Sequence, residues 1–167
     1  TAGDQRLQIG TKVVTMVSSR EETIISTDEA IYGMTFVGPP FIFSFRLLAT
    51  NAGASGLNTM INVDGNVFWM GKTNFFTYDG VVKEIPCSVQ YYVFDRMQRN
   101  FIDKTIVAHN KKFKEVTWFY VSDDNSLGTL NPEPDSYVTF NYLENAWSIG
   151  TMDRTAWLDS FGFRKVP

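Results

Sequence analysis

The sequence predicts an all-β chain of the β-propeller type, about three blades of short antiparallel strands with one short helix inserted. Three observations lead there. Aromatic residues make up 15% of the 167 residues, as 14 Phe, 7 Tyr and 4 Trp, and such side chains favour the pleated, half-buried surface of a strand. Strand-forming runs separated by tight turns recur in one order, with Val14, Ile61 and Val107 as equivalent marks 47 and 46 residues apart. A period of about 40 to 50 residues built this way marks a propeller blade. The run Val116 to Val121 is apolar on both of its faces, as a strand covered on both sides must be. A β-sandwich, whose inner strands read the same way, is the competing architecture. Three blades do not close a ring of four to eight, so closure would need other copies or other segments.

The first repeat, about residues 11–57, has strands at Val13 to Val17, Thr23 to Thr27 and Ala30 to Met34, separated by the polar turns Ser18 to Glu22 and Asp28-Glu29, with a fourth strand expected at Phe41 to Leu48. The second, about 58–87, runs through Thr59 to Val63, Val67 to Met70, Phe75 to Tyr78 and Val81 to Ile85, with turns at Asp64-Gly65, Gly71 to Asn74 and Asp79-Gly80. Asp-Gly pairs accept the backbone twist of a tight hairpin. The third, about 104–160, reads Thr105 to His109, Val116 to Val121 and Tyr137 to Tyr142, with its fourth strand at Ala146 to Gly150 or Thr155 to Leu158. Together they make one propeller-like domain over residues 1–167, or a fragment of a longer propeller.

Two insertions interrupt the repeats. In residues 88–103, SVQYYVFDRMQRNFID, apolar Val89, Tyr92, Val93, Met97 and Phe101 stand three or four apart with Ser88 as N-cap, which predicts a short amphipathic helix. Residues 122–136, SDDNSLGTLNPEPDS, predict an exposed acidic loop.

The segment NVFWMGKTNFFTYDG (residues 66–80) contains Gly-Lys-Thr, yet it is not a phosphate loop. Asn66 stands where the first glycine belongs, Val67 to Met70 form an apolar strand rather than a flexible cradle, and no helix follows. His109 and Cys87 are the only residues of their kinds, so no His/Cys metal cluster can form, and His109 has no nucleophile elbow to serve. Asp123, Asp124 and Asn125 lack the glycine and closing glutamate of a calcium loop. The expectation is therefore no enzyme, no cofactor and no metal. The basic turn Lys111, Lys112 and Lys114 could meet phosphates, although Asp103 and Glu115 blunt its charge. Those lysines, with Asp123 and Asp124, are the candidate interaction residues. A net charge of −3 gives no general attraction to nucleic acid or anionic membrane, and no apolar run is long enough to span one. The lone cysteine fits a reducing compartment.

The stretches FVGPPFIFSFRLLAT (36–50), VFWMGKTNFFTYDG (67–80), IPCSVQYYVFD (85–95), AHNKKFKEVTWFYVS (108–122) and YVTFNYLENAWSIGTMDRTAWLDS (137–160) together resemble the tail and head-to-tail connector proteins of short-tailed bacteriophages and prophages, also called tail hub or DNA-stabilisation proteins. The resemblance runs in order over most of the chain. Members of that family are longer, so it implies the C-terminal part of one, in keeping with a start, TAGDQRLQIG, that lacks Met. It implies a structural role in the virion, assembled in the bacterial cytoplasm: several copies below the portal, a homo-oligomer contacting portal, adaptor and tail needle or fibres, and in contact with packaged DNA. A carbohydrate- or receptor-binding propeller, using Trp147 or Trp157, is the alternative.

Overall fold

Each of three consecutive stretches of chain folds back and forth as an antiparallel meander of four strands. The structure, a computed structural model, describes residues 6–126, 132–153 and 156–157. The first sheet is ordered β1 (Val13–Ser18), β2 (Thr23–Thr27), β3 (Ala30–Phe36), β4 (Phe43–Thr50). The second is β5 (Met60–Val63), β6 (Asn66–Met70), β7 (Phe75–Tyr78), β8 (Val82–Ile85). The third is β9 (Ile106–Asn110), β10 (Glu115–Tyr120), β11 (Ser136–Asn141), β12 (Ala146–Thr151). The chain is thus all-β with three four-stranded sheets, and it divides into two compact units, Thr1–Ile85 and Pro86–Pro167. Of the two places expected for the last strand, Ala146 to Gly150 is β12; Thr155 and Leu158 lie outside the described residues.

The turns show why the strands stop where they do. Asp64 and Gly65 both have positive φ, 52° and 97°, the pair a two-residue hairpin needs, and Asn62 accepts from the Gly65 N–H at 2.8 Å. Gly71 N–H donates to the Asn74 carbonyl at 2.8 Å, closing a hairpin between β6 and β7 where a phosphate loop would need a helix. In the third sheet Asn110 and Asn141 open two turns of one kind. Each side-chain oxygen accepts an N–H two or three residues on, and each turn ends on a residue with positive φ, Lys114 and Asn145.

In the first unit, apolar side chains of two sheets meet. Ile24 and Ile31 of the first pack with Met60, Val67, Trp69, Phe76 and Tyr78 of the second. Trp69 is fully buried, stacks on Phe76 with ring centroids 5.5 Å apart, and donates its indole N–H to the Ala52 carbonyl at 2.7 Å. Strands β1 and β5 adjoin, and Asn62 of β5 donates to the Ser18 carbonyl of β1. In the second unit, Val116, Trp118 and Tyr120 bury one face of β10, while Thr117 and Phe119 bury the other, so the two-sided apolar reading of this strand holds.

The insertions depart from expectation. The helix does not run unbroken from Ser88. It forms as α1 (Gln90–Arg96), with Val89 rather than Ser88 at its N-cap and no side-chain cap. Met97 then turns extended and bridges to Ser122, and the Gln98 N–H donates to the Val121 carbonyl at 2.9 Å. A two-turn helix is marginal in water, so these tertiary bonds stop it, and the chain restarts as a 3-10 helix, Arg99–Lys104. Within the acidic segment, Ser122, Pro132, Pro134 and Ser136 are buried rather than exposed. Asp135 anchors it by accepting from both the N–H and the hydroxyl of Ser122, at 2.8 and 2.6 Å.

Burial gives the fold an alkaline limit. Desolvation pushes the phenols of Tyr78 and Tyr120 from an ordinary 10.0 up to about 12, assisted at Tyr78 by its hydrogen bond to Glu22 and at Tyr120 by the neighbouring Tyr92 and Asp135. Both hold their protons to higher pH folded than unfolded. Their contribution is complete below pH 10 and is lost as pH rises through about 12. Urea midpoints measured across that interval should fall steeply, and Tyr120→Phe should make the fall shallower; an unchanged slope would contradict the assigned burial.

Candidate interaction surface

The hairpin of β3 and β4 ends in an apolar tip. Phe36 pairs with Phe43 across the strands, their rings edge-to-face with centroids 5.9 Å apart. The Val37 N–H donates to the Ile42 carbonyl, and Gly38, at φ 79°, and a cis Pro39-Pro40 bond turn the chain between them. Strand β4 therefore starts at Phe43, two residues later than the expected Phe41. Phe41 is 75% exposed, Phe36 67% and Phe43 48%, and Val37, Ile42 and Leu47 are exposed beside them. No charged residue occurs from Phe36 to Phe45. Strand β4 is an edge of its sheet, with one row of backbone N–H and C=O groups facing away from β3, the arrangement through which sheets recruit further strands. An open cleft of about 280 Å³ between Phe36, Phe43, Met34 and the turn Ser18 to Thr23 adjoins the tip.

A buried carboxylate braces the base of this hairpin. Glu22, its side chain 5% exposed, accepts from Arg46 of β4 at 2.8 Å and from the Tyr78 hydroxyl of β7. Gly33 of β3 pairs with both Ile24 and Arg46, and its missing side chain leaves the space the carboxylate fills. A Cβ there would stand 1.8 Å from Glu22 Oε2. Strands β3 and β4 of the first sheet and β7 of the second thus converge on one group carried by the turn that precedes β2. The sequence reading placed Glu22 in a polar turn and gave it no role.

The residues singled out from sequence are held apart. Lys111, Lys112 and Lys114 lie in the turn between β9 and β10, and Asp123 and Asp124 begin α2 (Asp123–Ser126) beyond the far end of β10. That strand's six residues separate the two sets by about 20 Å. Lys112 lies 5.2 Å above the Phe113 ring, and the Lys114 carbonyl accepts the Tyr142 N–H. Asp124 pairs with Arg96. His109 faces the Tyr142 hydroxyl, 3.1 Å from Nε2. Burial raises the Cys87 thiol to about 11, so it is protonated at neutral pH. No group of three or more His, Cys, Asp or Glu among the described residues is placed to hold a metal. No helix among the described residues is long and apolar enough to cross a membrane. Comparison with known proteins brings no family model that matches this chain and no matching curated protein.

Proposed function

We propose that the chain is a non-enzymatic structural component of a phage virion, a tail or head-to-tail connector part whose four-stranded meanders serve as propeller blades. The exposed apolar tip at residues 36–43 carries this reading. Five apolar residues there, with Leu47 beside them, expose on the order of 600 Å², as large as the biggest patch on an ordinary monomer. A second copy meeting the same patch would bury about 1,200 Å², the lower bound of a stable interface. The resemblance to connector proteins supports the reading, since its first stretch, residues 36–50, spans this hairpin. In the virion the same copies would meet portal, adaptor and needle or fibre subunits.

Light scattering over a range of concentrations tests it. The wild-type chain should show a mass above one chain that rises with concentration, and Phe36→Ser with Phe41→Ser should return it to a monomer with an unchanged urea midpoint, because neither residue is buried. A strict monomer at every concentration, or assembly indifferent to both substitutions, would overturn the reading.

A further inference from the structure

The outer edge of β4 presents its backbone in a regular repeat. The Val37 N–H donates to the Ile42 carbonyl, which makes Val37 and Ile42 a hydrogen-bonded pair of the antiparallel ladder, and such pairs alternate with pairs whose backbone groups point outward. The ladder continues through Phe36 with Phe43, Thr35 with Ser44, Met34 with Phe45, Gly33 with Arg46 and Tyr32 with Leu47. Ser44 and Arg46 therefore turn their N–H and C=O toward β3, and Phe43, Phe45 and Leu47 turn theirs away from it. Among the described residues no second strand lies beside β4. A bulge that skips Leu48 ends the regular stretch.

Edges are blunted by charge, brevity or a bulge. The other edge of this sheet, β1, is bulged between Val13 and Thr15 and adjoins β5, and the edge strand β8 has only four residues, among them Lys83 and Glu84. On β4 the three outward residues are all apolar, and the one charge of the strand, Arg46, is held by Glu22.

We infer that two copies of this chain join through their β4 strands, antiparallel about a two-fold axis at Phe45, into one continuous sheet. The pairing rests on the assembly proposed above and gives it a contact. A closed dimer sets the same surface on both sides of its axis, and sheets accept added strands through edges of this kind. Centred on Phe45, the pairing puts Phe45 opposite Phe45 of the second copy and Phe43 opposite Leu47 of the second copy, so each outward residue exchanges two backbone bonds with its partner. Phe43, Phe45 and Leu47 share one face of the strand; Phe43 and Leu47, 48% and 45% exposed, cover one another across the seam. On the opposite face Ser44 meets Arg46. A centre one residue later would set Arg46 against Arg46, a like-charge pair. A centre one residue earlier would set Leu47 against Phe41, which precedes the strand, and lose that pair's bonds.

Amide hydrogen exchange of the whole chain, read residue by residue by NMR at rising concentration, tests the pairing. Exchange at Phe43, Phe45 and Leu47 should slow at least about tenfold as the mass by light scattering passes from one chain to two, while Ser44 and Arg46, bonded to β3 at every concentration, should change far less. Leu47→Pro removes an outward N–H without breaking a bond to β3, and Leu47→Ala trims the side chain but keeps that N–H. The proline chain should dimerise at least about tenfold more weakly than the alanine chain. A dimer whose Phe43, Phe45 and Leu47 amides exchange as fast as in the monomer would overturn the strand pairing and leave assembly through the apolar tip standing. Equal dimerisation of the proline and alanine chains would do the same. A monomer at every concentration would overturn both readings.

Discussion

Trp69→Ala should unfold the first unit, or leave it barely folded. The indole is wholly enclosed between two sheets, so its loss opens a cavity that strands on both sides cannot close, and it also deprives the Ala52 carbonyl of its donor. Removing a buried tryptophan and orphaning its partner costs about 5 kcal/mol, against a total stability of about 5–15 kcal/mol for an ordinary domain. Circular dichroism during urea titration should show the cooperative transition shifted to very low denaturant. Trp69→Phe keeps the stack on Phe76 and should lose roughly half as much. A cost below about 1 kcal/mol for the alanine variant would mean that the two sheets are not closed over this side chain.

The second large effect concerns Glu22. Glu22→Ala leaves the Tyr78 hydroxyl buried without an acceptor and should cost about 2 kcal/mol. Arg46→Ala should cost under about 1 kcal/mol, because that side chain is 64% exposed and solvent replaces its partner. Gly33→Ala should cost at least as much as Glu22→Ala, since the added methyl overlaps the carboxylate. The two are coupled through one volume of space. In a Glu22→Ala background Gly33→Ala should become close to neutral, a non-additivity that a double-mutant cycle in urea reads directly. Equal costs for Gly33→Ala in both backgrounds would show that the glycine serves something other than the carboxylate.

Strand positions were legible because their signals are local. Runs such as Thr23 to Thr27 and Val116 to Val121 are β-branched or aromatic, and the Asp-Gly and Asn-led turns announce their own geometry. What escaped the sequence depended on distant partners. The break at Met97 comes from pairing with Ser122, which no periodicity within residues 88–103 records. Glu22 looks like any turn carboxylate until Gly33, Arg46 and Tyr78 are brought to it. The burial of Pro132 and Pro134 was missed because prolines in an acidic stretch read as loop. The outward row of Phe43, Phe45 and Leu47 needs the register of β4 against β3, and register follows from turn length and pairing rather than from residue type alone. Of the run from Phe41 to Leu48 expected as a strand, Phe43 to Leu48 lies in β4, while Phe41 and Ile42 belong to the turn before it; that β4 is an edge, with Phe43 uncovered, is a property of topology.

Every sheet is made from one length of chain with its four strands in sequence order, joined by turns except for the longer segment between β10 and β11 that holds α2. Among the described residues no sheet borrows a strand from another. Hairpins of this kind close small loops first and add one neighbour at a time, which keeps the entropy of closure low and folding comparatively fast for a β protein. The helical segment beginning at Gln90 follows β8 and precedes β9 in the chain, so it lengthens the connection between two sheets without parting a hydrogen-bonded pair. Such a chain can lengthen by whole sheets during evolution, through duplication of one segment at a time, with no rethreading of those already present.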